Sequence, residues 1–270
     1  MTAAARTLPF VKMHGTENVF VLVDERPPRF EHYDLLARML CDPCGPMGGA
    51  DGILVVRDAA SAAAEMRIYN ADGSEAEMCG NGVRCVARYL VERGGGDAFT
   101  IATHAGPIAV RIGSREPFEV TVDMGDVRFP RDAEEERFEA LGTTWRFYDV
   151  SLGNPHAVIF VDDVTAIDLP ALGAAAQRLE RFSGGTNLHL VARIDANTLR
   201  VRHYERGVGL TQACGTGVVA CAAAAVRTRG ATSPTTVRVP GGTLDVAWQP
   251  GESAQLTGGA ETLFARTLAL

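Results

Sequence analysis

The chain predicts a mixed α/β fold, α+β in character, made of two pseudo-symmetric domains, each a strongly curved, barrel-like sheet around one long central helix. Three features of the 270 residues predict it. Short strand-like runs recur from end to end, four longer segments have helical character, and the chain repeats itself at one nearly constant offset.

Strand-like runs fall at residues 20–24, 52–56, 99–102, 108–112, 118–123, 158–162, 188–194, 199–204, 236–239 and 244–248. Most are β-branched and bounded by Gly, Pro or Asp, as twisted or closed sheets require. Residues 33–41, 80–93, 169–181 and 215–229 read as helices. Displacing the chain by 135 residues lays Met66-Arg67-Ile68-Tyr69 over Val201-Arg202-His203-Tyr204 and Cys79-Gly80-Asn81-Gly82-Val83 over Cys214-Gly215-Thr216-Gly217-Val218. Residues 49–56 then lie over 184–191, and residues 11–24 resemble 150–162 with a slip of a few positions. Several matches at one offset indicate a duplication. The expected division is 1–126 and 127–260, with the tail 261–270 a candidate to return to the first domain. One large mixed domain is the alternative.

Composition narrows the function. A hydrophobic content of 46% is ordinary for a globular chain. The net charge of -7 repels nucleic acid and anionic membranes. Residues 1–9 are too short and polar for a secretory leader, and no apolar run reaches membrane-spanning length. A cytoplasmic location is therefore expected, where the six cysteines stay reduced. The expected partner is a small molecule, with no nucleic acid and no membrane; a homodimer is the assembly to look for.

Each repeat places a cysteine just before Gly-x-Gly and an apolar helix-forming run. A thiol there faces unpaired backbone N–H groups and the positive end of the helix dipole, which lower its pKa. The small residues Gly80, Asn81 and Gly82, and Gly215, Thr216 and Gly217, are expected to let a ligand carboxylate approach the backbone. Cys79 and Cys214 then act as a pair at one α-carbon, one thiolate removing a proton and one thiol supplying a proton to the opposite face. Cys85 and Cys221, inside the helices, read as space fillers. Cys41-Asp42-Pro43-Cys44 has the form of a redox pair or half a metal site, but nothing completes a zinc site, so it reads as a loop feature. Lys12 is the single lysine; it lies in a strand region without a phosphate loop, so pyridoxal phosphate, which needs a Schiff-base lysine, is not expected. No cofactor and no metal are expected.

These residues carry a resemblance to the diaminopimelate epimerase family over nearly the whole chain. The segment from Asn70 through Asp72-Gly73-Ser74 to Cys79-Gly80-Asn81-Gly82-Val83-Arg84-Cys85 resembles the family's first cysteine signature. Glu205-Arg206-Gly207 to Cys214-Gly215-Thr216-Gly217 resembles its partner. Gly153-Asn154-Pro155-His156 and Met13-His14-Gly15 with Asn18 resemble two shorter blocks. The resemblance implies two mixed α/β domains with the active site in the cleft between them. It also implies epimerisation of L,L-diaminopimelate to the meso isomer without cofactor, for lysine and cell-wall supply. By motif position, Asn18, Asn70, Asn154, Asn187 and Arg206 bind the polar groups of the substrate with help from Glu205. Gly80, Asn81, Gly215 and Thr216 hold the reacting carboxylate. His156 either orients a neighbour or packs.

Three positions depart from the family pattern. Thr16-Glu17 and Val19 stand in the opening block, Pro43-Cys44 replaces a pair of arginines, and Leu210 replaces a glutamate. They bear on contacts to the distal end of the substrate. Three rival readings stay open: a two-cysteine racemase for histidine or proline, a non-catalytic amino-acid-binding protein, and a thiol redox protein built on Cys41 and Cys44.

Overall fold

The computed structural model describes residues 7–45 and 47–269. The first six residues of the N-terminal segment and the last residue of the tail, on which the sequence reading also drew, lie outside the described residues. The chain divides into two compact units, Met1–Val122 with Gly258–Leu270, and Asp123–Thr257.

The first unit is built on β1 (Thr7–Gly15), β2 (Asn18–Asp24), α1 (Tyr33–Cys41), β3 (Gly52–Arg57), β4 (Ala64–Asn70), β5 (Glu75–Ala76), α2 (Gly80–Val91), β6 (Ala98–Thr103), β7 (Gly106–Arg115) and β8 (Phe118–Asp126), whose last residues belong to the second unit. The second unit continues with β9 (Glu136–Ala140), β10 (Thr143–Ser151), β11 (Pro155–Phe160), α3 (Leu169–Ala176), a short 3-10 turn (Glu180–Phe182), β12 (Asn187–Arg193), β13 (Thr198–Glu205), β14 (Gly209–Thr211), α4 (Gly215–Arg229), β15 (Thr235–Val239), β16 (Gly242–Ala247) and β17 (Ser253–Gly258). The tail β18 (Glu261–Ala269) pairs antiparallel with β1 and belongs to the first unit.

Pairing follows the same order twice. In the first unit β1 and β2 are antiparallel, β2 and β3 parallel, β3 and β4 antiparallel, and β4 and β6 parallel. In the second, β10 and β11, β11 and β12, β12 and β13, and β13 and β15 repeat that alternation. Each parallel step needs a crossover, and α1, α2, α3 and α4 supply the four. Only the first neighbour differs in origin: β18 comes from the far end of the chain, whereas β9 immediately precedes β10.

The central strands are buried on both faces, so they read as continuous apolar runs. Val21, Val23, Ile53 and Val55 cluster with Leu36, Ala37 and Leu40 of α1. On the other face α2 packs against β1 to β4 and β18. In the second unit Ala157, Ile159, Leu188 and Leu190 cluster with Leu169, Leu172 and Ala176 of α3. The alanine-rich α4 is buried around most of its circumference, as an interior helix must be, and packs against β10 to β13, β15 and β16.

The mixed, sheet-dominated fold with two units follows the expected class. Two details differ. Among the described residues each ladder of strands stays open, so the sheets are not closed barrels. The two shorter helices, α1 and α3, which were expected but given no place, lie on the other face of each sheet. Residues 177–181, expected to extend the third helix, form turns and the start of the 3-10 segment, because Gln177 turns its amide to Thr186. Lys12 is buried and donates to the Met47 carbonyl at 2.7 Å. No helix among the described residues is long and apolar enough to cross a membrane.

Candidate active site

In the first unit Cys79 is the N-cap of α2 and partly exposed, in extended backbone just before the helix begins. Its Sγ lies 3.9 Å from Asn18 Oδ1, which also accepts from Asn81 Nδ2 at 3.2 Å. Asn18 is held from behind: Asp51 Oδ2 accepts from its Nδ2 at 2.8 Å and from the Val19 amide at 2.7 Å. The carboxylate thus decides which end of the Asn18 amide faces the thiol. One turn into α2, Arg84 is fully buried. Its guanidinium donates to the Gly259 carbonyl at 3.0 Å and to the Thr16 hydroxyl. Burial pulls its pKa down, against the electrostatic influence of Cys85 and Cys79.

In the second unit Cys214 is the N-cap of α4, also in extended backbone, but only 5% exposed. Burial raises its pKa well above the ordinary thiol value; the Glu205 carboxylate and its hydrogen bond raise it further, against the Gly217 N–H and the Thr216 hydroxyl, which lower it. The expectation that both helix starts lower thiol pKa is therefore corrected for Cys214. Desolvation and a facing carboxylate outweigh one helix terminus. Thr216 Oγ1 lies 3.7 Å from Cys214 Sγ and accepts from Asn154 Nδ2 at 3.3 Å. Asn154 Oδ1 faces His156 Nε2 at 3.0 Å. Asn154 therefore stands to α4 as Asn18 stands to α2.

The second glycine of each Gly-x-Gly has a packing role. A Cβ on Gly82 would fall 2.8 Å from Leu54 Cδ2, and one on Gly217 would fall 2.5 Å from His189 Cε1. Both are bare so that the first turn of the helix can lie against the sheet. Asn187 is buried and spends both ends of its amide on backbone, accepting from the Arg206 amide at 3.0 Å and donating to the Pro155 carbonyl at 3.0 Å. Arg206 is exposed and donates from Nη1 to the Gly184 carbonyl at 3.0 Å. Asn70 is exposed and donates to Ser74 Oγ at 2.9 Å within the turn that Asp72 closes. Cys85 and Cys221 are fully buried; burial pushes the Cys85 thiol up to about 12 and the Cys221 thiol well above its ordinary value, which suits space fillers. Cys41 is buried and pushed up to about 11 by desolvation, while Cys44 is exposed in the following turn.

The pattern of the diaminopimelate epimerase family matches residues 10–130 and 148–263. A curated diaminopimelate epimerase of Moorella thermoacetica is 39% identical over 94% of this chain and 97% of its own length. One from Carboxydothermus hydrogenoformans is 40% identical over 95% and 98%. The chain belongs to the diaminopimelate epimerase family.

Solved structures resemble it in fold at low identity. A phenazine biosynthesis protein of the PhzF family from Bacillus anthracis aligns with a TM-score of 0.74 at 15% identity, covering 98% of this chain and all of that one. A hydroxyproline epimerase from Agrobacterium vitis, bound to trans-4-hydroxy-L-proline, gives 0.71 at 19% identity over 98% and 92%. Against the family's pattern the opening departure has a structural meaning. Thr16 and Glu17 form the two-residue turn between β1 and β2, both with positive φ (55° and 59°). Thr16 uses that turn to accept from Arg84. Leu210 is half exposed in β14.

Sequence reasoning missed Asp51, Arg84, His189 and His203. Asp51 and Arg84 act through contacts more than thirty residues away in sequence, which no local motif announces. The repeat itself carried a usable signal for the others: His189 and His203 fall at the positions of Leu54 and Ile68, a polar-for-apolar exchange in two buried strands.

Proposed function

We propose that this protein epimerises L,L-2,6-diaminopimelate to the meso isomer without cofactor, using Cys79 and Cys214 as a two-base pair. The observation that carries the reading is that each cysteine caps a helix at the same place in both repeats, in opposite electrostatic surroundings. Cys79 has the buried Arg84 cation behind it, and Cys214 has the Glu205 carboxylate beside it. Cys79 enters as thiolate and takes the α-proton; Cys214 enters as thiol and gives its proton to the opposite face. The two have then exchanged protonation states, and the reverse reaction starts from that form.

The α-carboxylate of the substrate lies against the amides of Gly80 and Asn81 and of Gly215 and Thr216. As the proton leaves, enolate character grows on those oxygens, and each well-aimed donor contributes about 2.7–4 kcal/mol to the transition state. Arg206 takes the distal carboxylate through its fork of N–H donors. Asn18, Asn70, Asn154 and Glu205 receive the ammonium and carboxylate groups, and Asn187 holds the backbone of Arg206 in place. His156 orients Asn154. The reaction belongs to lysine and peptidoglycan precursor synthesis and runs in the cytoplasm, where both thiols stay reduced.

The test is incubation with L,L-diaminopimelate in D2O, followed at the α-proton by NMR. Deuterium entering the α-position together with meso product, lost about 1,000-fold or more in both Cys79→Ala and Cys214→Ala, is the expected result. Arg206→Ala should lose most activity if the distal group is anionic. No exchange from folded, reduced protein would sink the reading.

A further inference from the structure

Below the start of α4 lie three buried histidines in contact. His203 Nδ1 is 2.8 Å from His189 Nδ1, and His189 Nε2 is 2.9 Å from His156 Nδ1. The chain continues from His156 Nε2 to Asn154 Oδ1 at 3.0 Å, from Asn154 Nδ2 to Thr216 Oγ1 at 3.3 Å, and from Thr216 Oγ1 to Cys214 Sγ at 3.7 Å. All three rings are fully buried, and burial drives the pKa of His156 and of His203 down to about 3 and that of His189 well below its ordinary value. Each ring is therefore neutral at physiological pH and carries one N–H.

Three N–H groups must then serve three bonds, and both ends of the chain dictate the same direction. At one end Asn154 Oδ1 can only accept, so His156 carries its proton on Nε2 and accepts on Nδ1. His189 accordingly donates from Nε2 and accepts on Nδ1, and His203 donates from Nδ1. At the other end His203 Nε2 is buried without a partner among the described residues. An orphaned lone pair there is the lesser cost, because a buried N–H without an acceptor is the rarer and more expensive defect. With its lone pair engaged by Asn154, the Thr216 hydroxyl has its proton left for the Cys214 sulfur.

Packing alone does not require histidine here. The corresponding register positions of the first unit hold Phe20, Leu54 and Ile68, all buried, and Leu54 meets Gly82 as His189 meets Gly217. Three apolar residues fill that space in one repeat; three histidines fill it in the other.

We propose that His203 and His189 are positioning residues for Cys214: with His156 they form a one-directional chain of donors that holds Asn154 and turns the Thr216 hydroxyl proton onto the Cys214 sulfur. This rests on the assignment of Cys214 as one of the two bases. The donor stabilises the sulfur once its proton has gone, so it serves Cys214 as acid in one direction and as base in the other. Because the far end is a buried lone pair, the chain orients and does not conduct protons to solvent. The other groups acting on Cys214 are Glu205 from β13 and the Gly217 N–H from α4, and Arg206 is the charged side chain acting on His156.

The test uses the full-length protein labelled with 15N in histidine. NMR at pH 7 should show three neutral buried rings, with His156 and His189 protonated on Nε2 and His203 on Nδ1. His203→Ile copies the first unit and keeps the volume filled; His203→Asn keeps a donor near Nδ1. His203→Ile should lower kcat about three- to tenfold in both directions with KM within twofold, and raise the Cys214 limb of the pH profile by about 0.5–1. His203→Asn should restore most of both. His156 protonated on Nδ1, His203 protonated on Nε2, or a pH profile unmoved by His203→Ile would overturn the proposal. The NMR reading needs no substrate, so the expected tautomers in a protein inert to diaminopimelate would uphold the chain of donors and sink only the activity. The wrong tautomers in an active enzyme would sink the chain alone.

Discussion

The two repeats share a strand order, a crossover pattern and a cysteine at each long helix start, yet they surround those cysteines with opposite chemistry. In the first unit the sheet beneath α2 is apolar, with Phe20, Leu54 and Ile68, and the polar element is a buried cation, Arg84, inside the helix. In the second the position of Arg84 is taken by Val219, fully buried, and the polar elements are three histidines in the sheet and a carboxylate, Glu205. On the proposed two-base reading, the difference teaches how a duplicated scaffold would become an asymmetric acid–base pair. Two identical helix termini would hold their thiols in the same protonation state; a cation near one and a carboxylate beside the other would set them apart.

The largest effect is expected from the first unit. Arg84→Met keeps most of the side-chain volume and removes the charge, and should lower kcat about tenfold or more, since an adjacent opposite charge is worth at least a unit of pKa. Arg84→Lys should recover part of that loss, because it keeps the charge but not the fork that reaches Gly259 and Thr16. Steady-state rates across pH check both, and an Arg84→Met enzyme as fast as its parent would break the comparison.

Acid stability should separate the units next. Burial holds the folded-state pKa of His156 and His203 at about 3 and that of His189 well below the unfolded value near 6.5, so the unfolded chain binds more protons as pH falls below 6.5. Stability is fully present above pH 6.5 and is lost as pH falls below that value, with a slope approaching 1.4 kcal/mol per pH unit for each histidine. Urea melts at pH 7.5 and 5.5 read this directly. Replacing the three by their first-unit counterparts, Phe, Leu and Ile, should flatten the dependence; an unchanged slope would place the acid sensitivity elsewhere.

The smallest effect concerns the turn that supports Arg84. Glu17 sits at φ 59°, where a side chain costs about 1–2 kcal/mol and glycine costs less backbone strain but more chain entropy. Glu17→Gly should raise stability by a few tenths to about 1 kcal/mol, or roughly 1–4 °C in melting temperature. Thr16→Gly at the neighbouring position should instead lower it, because Thr16 also accepts from the buried Arg84.

Much of this architecture was legible because its signals are local. The helices at 33–41 and 215–229 match α1 and α4 end for end, and the cysteine strings fixed the register of the repeat. The remaining strands were harder: β4, β5, β9, β10, β14, β17 and β18 were not among the expected runs, and β1 was read only as the strand region that holds Lys12. Charged or polar residues interrupt the apolar ones in β9 and β10, and partners such as β18 for β1 lie far off in sequence. In the site, the side chains that touch the cysteines belong to readable motifs, whereas the distant contacts that hold those motifs in place were not legible. Asp51 reaches Asn18 across 33 residues, and Arg84 reaches Gly259 across 175. Asn187 reads as a ligand by motif position, and its two bonds to backbone, to the Arg206 amide and the Pro155 carbonyl, were not legible there.

Site-resolved alkylation reads the asymmetry between the two thiols. Reduced protein would be treated briefly with iodoacetamide from pH 6 to 10, and the modified fraction of each cysteine read by peptide mass spectrometry. The account predicts that Cys79 reaches half-maximal rate at clearly lower pH than Cys214, and that Glu205→Gln moves the Cys214 midpoint down while leaving Cys79 in place. Coincident midpoints, or a Cys214 that ionises first, would contradict it.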